Sequence, residues 1–213
     1  IIPDEDGGKA NLFATTGPRD RGGVMLSGHT DVVPVDGQEW TVPAFACTEA
    51  DGRLYGRGTA DMKGFVAAAL NAFEVTAGTE LATPLHLALS YDEELGCLGV
   101  RSLIDMLAAA PVRPEMCIVG EPTEMGLATG HKGKTVVCAD CTGMAAHSSL
   151  APLAVNAVHL ACDLVSAIRS RQQSIIETGT HDEAYNIPYT TLHVGRIEGG
   201  VQVNIVPQEA SVE

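Results

Sequence analysis

Apolar positions along the chain follow two rhythms, and the alternation between them predicts its elements. Residues 11–14 form a short extended run, and Gly17-Pro18 and Gly22-Gly23 mark the loop after it. Val24-Met25-Leu26 opens a buried strand over 24–27, with His29 just past its end. Residues 34–56 are rich in turn formers, hold the only Trp, Trp40, and predict a surface excursion over a cleft. An Ala-rich helical run follows over 65–77. Leu85, Leu87 and Leu89 then alternate with His86, Ala88 and Ser90, the period of a strand, which turns His86 away from the leucines as a bonded or exposed histidine. Val100, Leu103, Ile104 and Leu107 share one helical face. Residues 116–119 predict the next buried strand.

Beyond Lys132 the pattern changes. A β-branched run over 135–141 precedes a loop, 143–149, that carries His147. Val155, Val158, Ala161, Cys162, Val165 and Ile168 lie on one face of a long helix, and strands are expected at 190–194 and 201–205 about the turn Gly199-Gly200. Strands alternating with helices in the first part predict an α/β domain over 1–131. The β-α-β-β order of the rest predicts a smaller α+β layer over 132–213. The chain opens on Ile1-Ile2-Pro3 without Met and stops in an extended run over 210–213, as expected of an internal fragment.

Composition narrows the partners. Of 213 residues 45% are hydrophobic, enough for a buried core, whereas 4% are aromatic, so aliphatic and Ala packing must dominate. With 27 acidic against 13 basic residues the net charge is −14, which argues against nucleic acid and anionic membranes and for a soluble cytoplasmic protein or one holding cations. Six cysteines sit mostly in apolar runs and read as reduced core residues. Cys138-x-x-Cys141 has no second Cys pair or Cys/His cluster nearby and reads as structural. No apolar stretch of 18 or more residues is present to span a membrane.

Candidate chemistry gathers at the ends of the expected strands. Neutral imidazole is the commonest protein metal ligand, and a ligating His needs a carboxylate or carbonyl to fix its tautomer, as in His29-x-Asp31. A polar turn after a strand explains the same residues. Asp61 sits near the start of the helix expected over 65–77, where a carboxylate also serves as a cap. Asp92-Glu93-Glu94 sets three carboxylates side by side; a cation offsets their repulsion, and so does solvation of an acidic loop. Glu121 follows the strand over 116–119. Ligands of open α/β sheets bind beyond the carboxyl ends of the strands, so one cleft gathers His29, Asp61, Glu93, Glu94 and Glu121 more simply than coincidence does. Residues 128–135 match a relaxed P-loop pattern, but a β-branched run follows where the phosphate-binding helix belongs, which excludes nucleotide binding.

Taken together, Ser27-Gly28-His29-Thr30-Asp31, Gly56-Arg57-Gly58-Thr59-Ala60-Asp61-Met62-Lys63-Gly64, Asp92-Glu93-Glu94 with Gly96, and Gly120-Glu121-Pro122-Thr123 resemble the aminoacylase/acetylornithine deacetylase family of two-metal zinc hydrolases, which also includes succinyl-diaminopimelate desuccinylase and glutamate carboxypeptidases. The resemblance runs in order over nearly the whole chain. Tyr91-Asp92-Glu93-Glu94, His131-Lys132-Gly133-Lys134 and Ala146-His147-Ser148-Ser149 are most similar to the acetylornithine deacetylase branch.

The resemblance implies a zinc-exopeptidase-like catalytic domain, a mixed sheet between helices, and a smaller two-layer lid and dimerisation domain, both incomplete here. It makes Asp61 the carboxylate bridging two zinc ions, with His29 and Glu121 completing one site and Glu94 serving the other. Asp31 orients His29, Glu93 is the general base, and His147 reaches the partner subunit's site in a homodimer. The last metal-ligating His falls outside this chain, because neither His181 nor His193 sits in a matching motif. A cis peptide is implied at Asp61-Met62, and Asn204 in the lid is implied to hold substrate. The implied reaction removes the acetyl group from N-acetylornithine; another N-acyl amino acid hydrolase, such as a desuccinylase or an aminoacylase, and an inactive scaffold are the alternatives. Cobalt or manganese suits the same donors as zinc. Neighbouring residues of an extended segment point to opposite sides, so Glu93 and Glu94 are expected to hold different jobs.

Overall fold

In chain order the elements are β1 (Ile2–Pro3), β2 (Ala10–Thr16), β3 (Val24–His29), β4 (Thr48–Ala50), β5 (Arg53–Tyr55), a short kinked segment (Thr59–Lys63), α1 (Gly64–Thr76), β6 (Leu85–Ser90), α2 (Arg101–Ala109), β7 (Met116–Val119), β8 (Ala139–Thr142), a 3-10 turn (Ser148–Leu153), α3 (Ala157–Thr178), β9 (Ile197–Gly199) and β10 (Glu209–Val212). The computed structural model describes residues 1–213, in two units, Ile1–Thr129 and Gly130–Glu213.

The first unit is built on a mixed five-stranded sheet of order β1-β2-β6-β3-β7. β1 and β2 pair antiparallel, and β2 pairs antiparallel with β6. β6, β3 and β7 run parallel because α1 and α2 supply the crossovers between them. Their register, His29 opposite Ser90 and Ser27 opposite Val119, aligns three carboxyl ends at one edge of the sheet.

Several sequence expectations shift here. His29 is the last residue of β3 rather than outside it, because pairing with Ser90 carries the strand two residues further. The excursion over 34–56 contains a hairpin, β4–β5, turning at Asp51 and Gly52, both with positive φ. Asp-Gly is the turn pair that suits this conformation, and it was visible in the sequence. β7 is exposed rather than buried, since it is the edge strand of the sheet. In α2, Leu103 is buried but Ile104 is exposed, so the inward face runs through Leu103, Met106 and Leu107.

His86 is buried, its ring stacked on Phe13 at 5.5 Å between centroids. Thr15 Oγ1 lies 2.9 Å from its Nδ1, while Nε2 has no partner. Burial pushes the His86 imidazole below its ordinary pKa. The unfolded chain therefore takes up the proton more readily, and the stability tied to neutral His86 is complete above about pH 6.5 and lost as pH falls below it. Urea unfolding at a series of pH values should show stability declining below about pH 6.5, and His86→Asn should flatten that decline whatever it does to stability at pH 8. An identical slope in the variant would exclude His86 as its source.

In the second unit α3 packs on a three-stranded antiparallel sheet of order β8-β10-β9, through a core of Ala157, Ala161, Ala210 and Val212. Asn156 caps α3, its Oδ1 accepting from the N–H groups of Val158 at 3.0 Å and His159 at 3.2 Å. Three strand expectations fail. The run over 135–141 is strand only from Ala139, where β10 stops pairing at Val212. Residues 190–194 are not a strand; Gln172 of α3 takes the Leu192 N–H instead. The stretch 201–205 is a turn ending in an isolated bridge, Ile205 to His147. On α3 the buried face uses Leu164 while Cys162 is exposed, and Val155, also exposed, lies before the helix. Nor are the cysteines core residues: all six are free, and only Cys141 is partly covered. No helix is long and apolar enough to cross a membrane.

Candidate metal centre

The aligned strand ends bring the predicted residues of the first unit together. His29 closes β3, Glu93 and Glu94 follow β6, and Glu121 follows β7. Asp61 comes from the segment before α1, and its peptide bond to Met62 is cis, as the resemblance implied. Met62 is fully buried beneath the site, its Sδ accepting the His29 backbone N–H at 3.4 Å. Gly120 sets the path of the third strand end: a Cβ there would lie 1.9 Å from Cγ of Phe65. Gly120→Ala should therefore cost about 1–3 kcal/mol or more by overpacking and displace Glu121, measurable as a lower melting temperature with weakened metal binding. Unchanged stability would contradict the contact.

The His29 ring is buried, and its two nitrogens have different surroundings. Nδ1 lies 3.0 Å from the carbonyl oxygen of Asp31 and 3.4 Å from its carboxylate. A carbonyl accepts only, so Nδ1 carries the proton and Nε2 keeps its lone pair, the form that binds a cation. Nε2 faces Asp61 at 3.2 Å and Glu93 and Glu121 at 3.9 Å each. Asp31 reaches further, its Oδ2 accepting the backbone N–H of Glu94 at 3.0 Å, so one residue ties the β3 end to the β6 end.

Charge is unbalanced here. Four carboxylates, Asp61, Glu93, Glu94 and Glu121, meet one imidazole, and no Lys or Arg pairs with any of them. Burial alone pushes the His29 imidazole down, but Asp61 on Nε2 and the charges of Asp31, Glu121 and Glu93 outweigh it and hold the imidazole above its ordinary range. Burial also raises the Glu121 carboxyl, and repulsion from Asp61 and Glu93 adds to that against the pull of His29. Burial works on Asp31 the same way, yet the backbone N–H groups of Glu94 and Glu93 prevail and hold its carboxyl low. Oxygen and imidazole donors with excess negative charge fit a divalent cation.

Two sets of donor atoms lie within 4.8 Å of one another: His29, Asp61 and Glu94, and His29, Glu93 and Glu121. These groupings divide the carboxylates differently from the resemblance, which put Glu121 with His29 and Asp61. Glu93 and Glu94 also lie in a turn rather than an extended segment. Asp92, with φ 51°, swings out of the cluster, where Lys9 Nζ binds both its oxygens at 2.7 Å. Nothing in the sequence signalled that long-range pair, nor the role of Met62 as the floor beneath His29.

The two remaining candidates belong to the second unit and are adjacent there. His147 bridges to Ile205, and Asn204 accepts the Ser148 N–H at 2.9 Å through its carbonyl. The exposed His147 ring accepts the Ser149 N–H on Nδ1 at 3.2 Å, with Ser149 Oγ at 2.8 Å. An accepting Nδ1 puts the proton of the neutral ring on Nε2, the reverse of His29. His181 stays within this unit, its Nε2 3.1 Å from the Ile176 carbonyl.

Comparison with known proteins agrees with this architecture. A curated acetylornithine deacetylase from Salmonella heidelberg (strain SL476) is 41% identical over 192 residues, which is 90% of this chain and 49% of the relative. The chain thus spans about half the length of that relative. Among solved structures, an M20 family metallo-carboxypeptidase from Sulfolobus solfataricus aligns with a TM-score of 0.66 at 21% identity, over 96% of this chain and 59% of that one. A tripeptidase from Staphylococcus aureus subsp. aureus mu50 aligns with a TM-score of 0.58 at 22% identity, over 99% and 54%. At these identities the two structures speak to the fold, a mixed α/β architecture shared with M20 metallopeptidases. The family model described as peptidase family M20/M25/M40 matches residues 25–204, and with the strand-end cluster inside that span the chain belongs to this family.

Proposed function

We propose that the protein carrying this chain is a zinc-dependent amidohydrolase that removes the acetyl group from N-acetyl-L-ornithine, giving ornithine and acetate in arginine biosynthesis. The convergence of His29, Asp61, Glu93, Glu94 and Glu121 beyond the ends of β3, β6 and β7 carries the hydrolase reading. The 41% identical deacetylase supports the substrate. Six free cysteines support a reducing compartment such as the cytoplasm.

His29, Asp61, Glu94 and Glu121 would hold zinc, with cobalt or manganese as substitutes. The bound cations supply Lewis acidity, which eases ionisation of water near neutral pH and polarises the amide carbonyl. Asp31 keeps the His29 lone pair on Nε2. Glu93 takes the proton from the attacking water and returns it to the leaving amine. His147, supplied across a homodimer, donates its Nε2 proton in a hydrogen bond to the developing oxyanion. Asn204 helps to hold the substrate.

The deciding experiment is hydrolysis of acetyl-, succinyl- and formyl-amino acids by the full-length protein, with bound metal measured in parallel. N-acetylornithine should be the best substrate. A preference for succinyl-diaminopimelate would overturn the substrate assignment, and a chain binding no metal would overturn the hydrolase reading.

A further inference from the structure

We propose that Cys97 is a positioning residue for Glu93, its thiol fixing which carboxylate oxygen faces the site; the inference rests on the reading of Glu93 as general base. Cys97 Sγ donates to Glu93 Oε1 at 3.4 Å, while Glu93 Oε2 lies 3.9 Å from His29 Nε2. One oxygen is held at the rear and the other is presented to the cluster. Glu93 is about a third exposed at 35%, so without such a hold its side chain is free to sample rotamers that turn toward solvent.

The backbone is shaped to bring the thiol there. The carbonyl of Glu93 accepts the N–H groups of both Gly96 and Cys97 at 2.8 Å, and Leu98 N–H reaches the Asp92 carbonyl at 3.1 Å. This winds the chain tightly around Glu93 and leaves Gly96 at φ 91° and Cys97 at φ 58°. The left-handed region is where glycine is the low-cost residue, because a Cβ crowds the neighbouring peptide. Cysteine holds that position against the local preference, and its side chain reaches back over four residues to the carboxylate. Neither group of potential metal donors includes Cys97, so its contact with Glu93 is the one it makes at the site.

The same strain supplies a clean test, since Cys97→Gly removes the thiol while relaxing the backbone. The variants Cys97→Gly, Cys97→Ala and Cys97→Ser are compared in the metal-loaded, full-length protein, beside Glu93→Gln. In Cys97→Gly and Cys97→Ala, kcat should fall about 3- to 10-fold, the scale of one lost hydrogen bond, with KM within about twofold and metal content unchanged. Cys97→Gly should melt no lower than the parent. The hydroxyl of Cys97→Ser should restore kcat to within about twofold. A crystal structure of Cys97→Gly should show the Glu93 carboxylate turned from its present position. The proposal is overturned if Cys97→Gly and Cys97→Ala keep parental kcat, if Cys97→Ser is as slow as Cys97→Ala, or if the Glu93 carboxylate stays in place without the thiol. Should Glu93→Gln itself keep full turnover, the base assignment fails and takes this role with it; an inactive Glu93→Gln beside a fully active Cys97→Gly removes the positioning role alone.

Discussion

Glu93→Gln should keep its full complement of metal and lose about two to four orders of magnitude in turnover, the usual scale for a general base. Glu94→Gln should instead shed metal. Both carboxylates reach the cluster, but their surroundings differ. Glu94 lies with His29 and Asp61 in one set of potential donors, and its backbone N–H is fixed by Asp31. Glu93 has one oxygen on the Cys97 thiol and the other directed to the interior of the cluster. Gln preserves the shape at either position but removes the charge and turns one accepting oxygen into a donating NH2. Elemental analysis of dialysed protein together with steady-state rates separates the roles. Equal metal loss in both variants would defeat the division of labour, and with it the assignment of Glu93.

His147→Ala should be nearly inactive with its metal in place, since loss of one oxyanion donor costs about 10²–10³ in turnover. The ring is exposed, its Nδ1 is occupied by the Ser149 N–H, and its donor nitrogen is free for a ligand. A surface histidine preceding a helical turn has the same appearance, so a single variant is not decisive. Mixing is. A heterodimer of Glu93→Gln and His147→Ala chains contains one intact Glu93 and one intact His147, on different subunits. If His147 acts across the interface, these two serve the same site and part of the activity returns. If subunit exchange is demonstrated and the rate stays at background, His147 does not act in trans.

The parallel part of the fold was legible because β3, β6 and β7 carry apolar runs or alternations, each reaching a His or a carboxylate at its end or within three residues beyond it. Those residues placed the cluster as well as the strand ends. What escaped the sequence was mostly non-local. Lys9 removes Asp92 from the three-carboxylate run from far along the chain, and Met62 becomes the floor of the site through a side-chain contact that no periodicity reports. The second unit misled for another reason. Stretches 190–194 and 201–205 have strand-like composition, but a strand needs a partner, and Gln172 and the His147 bridge occupy backbone groups that a ladder would use. The hairpin at Asp51-Gly52, by contrast, is a local feature that its turn pair encodes directly.

The bridge from His147 to Ile205 has a mechanical consequence. Ala146 accepts the Val206 N–H at 2.8 Å and Asn204 accepts that of Ser148 at 2.9 Å, so both backbones are stitched on either side of the pair. His147 and Asn204 are therefore two points on one lever, and a displacement that carries one carries the other. Under the roles proposed for them, the grip on substrate and the polarising donor arrive and depart in a single stroke. Loosening the stitch at either side would uncouple them, producing an enzyme that holds its substrate without activating it, or activates what it no longer holds.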